Sequence, residues 1–269
     1  MNQNFSVNSS LFSGEIYSKE NIINDFNNIK NLEKCYATRE SSNMCLNILS
    51  KYIDNIIIGS ADLGESNKTL IKTHIINKDN FTGKYLHYGV REHAMCSIAN
   101  GISTYGIFPI ISTFLVFITY CLAPIRMAAL SNHKILYIFT HDSILLGEDG
   151  PTHQPIESLT ILRSIPNLLT IRPCDTKEVC GAYEISLEHN GPISIILTRQ
   201  TLQNMENTNS DKIKYGAYII YEPNQKIDLI IISTGSEISL ALDTIKLLVG
   251  MGIRRDFIIF KIYQNKIIQ

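Results

Sequence analysis

The chain has 269 residues, 45% of them hydrophobic and 18% charged, which supplies a core for one large or two modest domains and excludes a wholly disordered protein. Lys plus Arg number 24 against 25 Asp plus Glu, so the net charge of -1 implies no general attraction for nucleic acid or acidic lipid. The six cysteines, at positions 35, 45, 96, 121, 174 and 180, include no Cys-x-x-Cys pair, and are expected to be reduced, mostly buried thiols rather than metal ligands or disulfides.

The N-terminal MNQNFSVNSSLFSG lacks the basic and apolar regions of a secretory signal, and a cytoplasmic location is expected. Eight of the 23 Asn residues fall in the first 31 positions, so residues 1–36 are expected to be an Asn-rich linker or tail outside any core. Periodicity then predicts a helix at about 41–53, a buried strand at 55–59, and helices at 91–105 and 114–131. A strand at 134–141, a helix at 156–164, a strand at 168–172, a helix at 176–188 and a strand at 193–198 follow. Strands alternating with helices of this length define an α/β fold with a doubly wound, mostly parallel sheet. The stretch from Ala94 to Ile125 has no Asp, Glu, Lys or Arg and is long enough to span a bilayer. Gly101, Gly106, Pro109, the Ser112-Thr113 pair and Pro124 divide it into helix, strand and helix pieces, so it reads as the buried centre of a soluble α/β domain. Residues 203–213 read as a polar linker. From 214 to 269 a second α/β unit begins with the apolar run at 227, a helix to about Leu248 and a last apolar run near Phe257. One β-α-β is too small for a core of its own, so this domain is incomplete or leans on a partner.

Three groups of residues could carry chemistry. Glu92 opens a helix directly after a strand, where a carboxylate either complements the helix dipole or faces a ligand at the edge of a parallel sheet. Phe114, Phe117 and Tyr120 recur at i, i+3 and i+6, which puts three rings on one face of the expected helix, as core or as a ligand platform. The loop from Thr140 to Pro155 carries His141, Asp149 and His153 between glycines and prolines. It matches neither a helix-borne zinc motif nor a phosphate-binding P-loop.

Together these stretches resemble transketolase. The matching motifs are GSADLGESN (59–67), YGVREHAM (88–95), TFLVFITY (113–120), THDSILLGEDGPTHQPIESL (140–159), LRSIPNLLTIRP (162–173), LTRQ (197–200) and STGSEISLAL (233–242). The resemblance implies a pyrimidine-binding domain over 37–202 followed by part of the C-terminal domain, with thiamine diphosphate as cofactor. It makes Glu92 the acid that hydrogen-bonds N1′ of the cofactor's aminopyrimidine, Phe114, Phe117 and Tyr120 the pocket for that ring, and Asp62 and Leu63 cofactor-lining residues at a subunit interface. His153 and Asp149 become partners of the sugar's carbonyl and hydroxyls, with His153 also placed among the catalytic groups. Arg39, Ser66, His141 and Arg199 become a phosphate clamp.

The family's diphosphate-binding domain, which holds the divalent ion (Mg²⁺ or Ca²⁺), has no counterpart here. No metal ligand is therefore expected in this chain, and a diphosphate-binding domain or subunit is the expected partner, in a dimer. Gly64-Glu65 also departs from the family's usual small residue and Pro before the clamp's serine, which sets a carboxylate beside an anion site. The expected activity is two-carbon ketol transfer between phosphosugars in the pentose phosphate pathway, absent in the isolated chain. A split-enzyme subunit and a truncated product both fit. The alternatives are an inactive relic that pairs with a full-length transketolase, and a related dihydroxyacetone synthase. No nucleic-acid or membrane partner is expected.

Overall fold

The computed structural model describes residues 17–221, 229–251 and 259–260. The first helix, α1 (Lys19–Lys30), lies within the segment read as a tail. Its four asparagines conceal an apolar stripe, because Ile22, Phe26 and Ile29 recur at i, i+4 and i+7 and all three are buried. Ser18 caps it by accepting from the Asn21 N–H, Lys30 pairs with Glu184 at 2.7 Å, and the Phe26 ring meets Tyr183 edge-on at 6.3 Å. Residues 19–30 are thus part of the core and not a linker. The expectation for 1–16 lies outside the described residues.

A short strand, β1 (Tyr36–Ala37), leads into α2 (Thr38–Tyr52), which starts three residues earlier than the pattern predicts. The Glu40 carboxylate accepts from the Ala37 N–H at 3.1 Å and fixes that start. Then follow β2 (Ile56–Ser60), β3 (Tyr85–His87), α3 (Glu92–Ser103), β4 (Phe108–Phe114), α4 (Leu122–Leu130), β5 (Leu136–Thr140), α5 (Ser158–Ser164), β6 (Leu169–Ile171), α6 (Thr176–Glu188), β7 (Ile193–Leu197) and β8 (Thr201–Leu202). The uncharged stretch 94–125 is divided among α3, β4, a 3₁₀ helix and the start of α4. No helix among the described residues is long and apolar enough to cross a membrane.

Six strands form one wholly parallel sheet in the order β3-β2-β4-β5-β7-β6. Side chains alternate across it: Ile110, Leu136, Ile138, Ile193 and Ile195 face α1, α2 and α6, whereas Ile111, Tyr137, Phe139 and Ile196 face α3, α4 and α5. Both faces are covered, which is why these strands read as continuous apolar runs. β8 pairs antiparallel with β1 and closes the domain beside α2.

One expected helix is not a single helix. Phe114 ends β4, and Leu115–Tyr120 is a 3₁₀ helix before α4 begins at Leu122. At three residues per turn, positions i and i+3 eclipse, so spacing by threes aligns rings better here than in an α-helix.

The segment 203–213 is docked rather than free. Thr208 Oγ1 and the Met205 N–H both bond the Asp175 carboxylate, the N-cap of α6, and Ile213 is buried in a 3₁₀ turn, Ser210–Tyr215, against α6. Beyond it, β9 (Ile231–Ile232), α7 (Glu237–Gly250) and β10 (Ile259–Phe260) make a parallel β-α-β with a small core of Tyr218, Ile220, Ile238, Ala241 and Ile245 beside Cys174. The expected start of this unit at 227 and the run at Phe257 lie outside the described residues. A buried Arg172 joins the unit to the sheet: it pairs with Asp142 at 2.7 Å and with Glu237.

Candidate active site

From β2 the chain proceeds to β3 on one side and to β4 on the other, and the loops part above the carboxyl ends of the strands at such a switch point. A cleft of about 550 Å³ lies there, lined by Ala61, Asp62, Leu63, Val90, Glu92, Phe117, Tyr120 and His153. Asp62, with φ of 62°, turns the chain sharply out of β2 in the left-handed region. Gly89, at φ 69°, does the same after β3, and a Cβ there would stand 2.2 Å from Arg91 Nη1, so only glycine lets that guanidinium fold back onto the Tyr88 carbonyl.

That turn brings Glu92 to the first position of α3, where it is only 8% exposed. Thr113 Oγ1, from β4, donates to its Oε1 at 3.5 Å, and the carboxylate lines the cleft. Phe117 and Tyr120 form the facing wall, their ring centroids 6.1 Å apart. Phe114 stands behind, stacked on Phe117 at 5.8 Å, and does not itself line the cleft. The His153 ring meets Phe117 at 5.4 Å and Phe114 at 6.0 Å, edge-on in both cases.

The cationic residues gather beside the cleft, past Phe114, and do not line it. Arg39, in the first turn of α2, donates from Nη1 to the Ser66 carbonyl at 2.6 Å. Arg199, just past β7, lies against Gly147, where a Cβ would stand 3.2 Å from its Nη1. Burial, and then the charge of Arg199, lower the Arg39 pKa, while Glu40 and Asp149 oppose them. His141 follows β5 with φ of 59°, is 3% exposed, and stacks on Phe114 at 3.8 Å. Burial first, then Arg39, bring its pKa down to about 4; Asp149 works against this, and Arg199 and His153 add to it. The structure therefore brings Arg39, Asp149, His153 and Arg199 into electrostatic reach of His141, and ties Ser66 to the group through its backbone.

The protonation of His141 follows from its neighbours. The Ser112 carbonyl, on β4, can only accept, so the Ser60 hydroxyl donates to it at 3.0 Å. Ser60 Oγ then accepts from the Asn67 amide at 3.2 Å, which turns Asn67 Oδ1 toward the Thr140 hydroxyl at 2.6 Å. With its hydrogen spent there, Thr140 Oγ1 accepts from His141 Nδ1 at 2.8 Å. Neutral His141 thus carries its proton on Nδ1 and a lone pair on Nε2. Asn67, Thr140 and Ser60 were not singled out by sequence reasoning, although Asn67 closes GSADLGESN and Thr140 opens THDSILLGED. Val90, Ala61 and Thr113 were also missed as parts of the cleft.

Among the described residues, Cys174, Asp175 and Glu178 could converge on a metal ion. They cap α6 instead: Asp175 accepts from the Glu178 N–H at 3.0 Å, and Glu178 accepts from the Cys174 N–H at 2.9 Å and from Tyr218.

An open parallel sheet with a carboxylate-and-aromatic cleft at its switch point and cations beside it defines a ligand-binding domain of the doubly wound α/β class. The family described as transketolase, pyrimidine binding domain, matches residues 34–205, and the chain belongs to it. It is 45% identical to transketolase of Aquifex aeolicus over 232 residues, 84% of this chain and 34% of that protein. It therefore spans about a third of the length of that relative. Transketolase of Pichia stipitis, solved with sedoheptulose 7-phosphate, superposes with a TM-score of 0.82 at 41% identity over 86% of this chain and 35% of that one. A split-gene transketolase, described as an inactive β4 tetramer, superposes with a TM-score of 0.67 at 26% identity, over 83% of this chain and 70% of that one. The family implies thiamine diphosphate and a divalent metal.

Proposed function

We propose that these residues form the pyrimidine-binding half of a transketolase site for ketol transfer between phosphosugars, completed by a diphosphate-binding domain from another segment or chain. The observation that carries this reading is the buried carboxylate of Glu92 on one wall of a cleft whose other wall is Phe117 and Tyr120. A flat heteroaromatic ring with a nitrogen at its edge suits that pairing, since aromatic faces receive the ring and the carboxyl group holds a proton at the nitrogen. When bound, thiamine diphosphate supplies the nucleophilic carbon for breaking and making the bond beside a carbonyl.

In this reading Glu92 keeps one proton positioned at the pyrimidine edge, Thr113 orients the carboxyl group, and Val90 and Leu63 keep water from it. Asp62 and Leu63 line the cofactor where the second half closes over it. His153, braced edge-on by two phenylalanines, faces the sugar's carbonyl and hydroxyl oxygens, with Asp149 beside it. Arg39, Arg199, His141 and Ser66 hold the phosphate end. Mg²⁺ or Ca²⁺ belongs to the partner half, and the pair works as a dimer in the pentose phosphate pathway. The Pichia stipitis complex supports the substrate class, and the split-gene relative supports a two-part enzyme.

Calorimetry with thiamine diphosphate and Mg²⁺ tests the division of labour. Alone, the chain should bind more weakly than low micromolar, and adding a diphosphate-binding transketolase domain should produce both tight binding and turnover. Low-micromolar binding without any partner, about 8 kcal/mol, would overturn it.

A further inference from the structure

The motif STGSEISLAL opens the C-terminal unit, yet none of its residues lines the cleft. Its first turn closes instead around one guanidinium. Arg172 donates from Nη1 to the Thr234 carbonyl at 3.1 Å and from Nη2 to Ser236 Oγ at 3.2 Å and Glu237 Oε1 at 3.0 Å; Nη1 also bonds Glu237 Oε2. Gly235 lies flat against the same side chain: with φ of 60°, a Cβ there would stand 2.7 Å from Arg172 Nε and 2.8 Å from Cγ. On the opposite side, Asp142 Oδ2 accepts from Nε at 2.8 Å and forms an ion pair with Nη2 at 2.7 Å. All three nitrogens of the planar fork are engaged, a geometry that lysine cannot reproduce. The Arg172 side chain is 5% exposed and that of Asp142 fully buried, whereas Glu237 is 45% exposed.

Asp142 is the residue after His141, whose left-handed backbone must be held by its surroundings. We propose that Arg172 is a positioning residue: the Thr234–Glu237 turn clasps its guanidinium, and through Asp142 the clasp holds His141 in the left-handed conformation that stacks its ring on Phe114 beside Arg39 and Arg199. The C-terminal unit thereby contributes to the anion end of the site without touching it. Only the effect on turnover rests on the phosphosugar reading.

The test uses the full chain and the NMR resonances of the His141 ring protons, which the face of Phe114 displaces upfield. Arg172→Lys, Gly235→Ala and Glu237→Gln should each reduce that displacement, in descending order, and leave His189, beyond the far end of α6, unchanged. In the reconstituted enzyme the same variants should raise KM for phosphorylated donors roughly five- to tenfold with kcat retained, the loss of about one contact. Hydroxypyruvate, which lacks a phosphate, should keep its KM. Unmoved His141 resonances in all three variants would overturn the proposal whatever the kinetics. If Arg172→Lys fails to fold, Glu237→Gln, at the partly exposed side of the clasp, carries the decision. The resonances need neither partner nor cofactor, so a reconstituted complex without ketol transfer would overturn the proposed function while they still decide the clasp.

Discussion

At the aromatic end of the cleft, Glu92, Thr113, Phe117 and Tyr120 come from two consecutive segments, a turn into α3 and the end of β4 with its 3₁₀ continuation. At the anion end, Arg39, His141, Asp149 and Arg199 come from segments 160 residues apart in the chain, from 39 to 199, and meet only because α2, β5 and β7 present their ends on one side of the sheet. The first end is local geometry, fixed by Gly89, a helix start and an eclipsed ring spacing. The second is fixed by topology and by buried polar bonds, among them the Asn67 and Arg172 networks. Damage should therefore differ in kind: chemistry lost with the fold intact at one end, and selective loss of anion binding at the other.

Glu92→Gln should sharpen this contrast most. The amide keeps the shape but holds no carboxyl proton, so proton exchange at the cofactor's C2, followed by NMR in the reconstituted complex, should slow by about 10²- to 10⁴-fold. Thermal unfolding of the isolated chain should stay within roughly 1 kcal/mol of the parent. Unchanged exchange would reduce Glu92 to a carboxylate that complements a helix dipole.

Arg199→Ala should act at the other end, on phosphorylated donors only. Loss of one charge-assisted contact costs about 1.5 to 3 kcal/mol, or roughly 10- to 100-fold in KM. Equal losses with hydroxypyruvate would assign Arg199 to the fold or to subunit pairing.

The third test is a pH dependence confined to acid conditions, and His141 carries it. Its pKa falls from 6.5 to about 4 on folding, so between those values the unfolded chain binds the extra proton. This contribution to stability is complete above pH 6.5 and is lost as the pH falls toward 4, at up to about 1.4 kcal/mol per pH unit. His141→Asn, which tolerates the left-handed backbone, should flatten that part of the stability profile measured by denaturant titration. An identical slope in the variant would move the proton elsewhere.

The contrast also explains what could be read in advance. The alternation of β2, β4, β5 and β7 with α3 and α6 was legible because strands buried on both faces are apolar throughout. Helix α1 was hidden because asparagines at 21, 24, 27 and 28 dilute a stripe of three apolar residues, too few to stand out against that composition. Phe114, Phe117 and Tyr120 were legible as a set, yet assigned to an α-helix, because spacing by threes does not distinguish a tight helix from an ordinary one. The anion end emerged only from the family resemblance, since no local pattern joins Arg39 to Arg199. Asn67 and Thr140 escaped because a small polar residue in a loop looks the same whether it faces water or a neighbour's hydroxyl.

The row of donors from His141 through Thr140, Asn67 and Ser60 to the Ser112 carbonyl has a direction, because its last member can never give a hydrogen. Directed rows constrain descent. An Asn67→Asp change would leave Ser60 with the Leu63 N–H as its incoming donor and break the row between Ser60 and Thr140, and a Thr140→Val change would free the imidazole to move its proton to the other nitrogen. Substitutions at these positions of β2, β4 and β5 should therefore be non-additive, each one's cost depending on its neighbour in the row. The histidine's chemistry is written in a backbone carbonyl on β4, the strand next to its own.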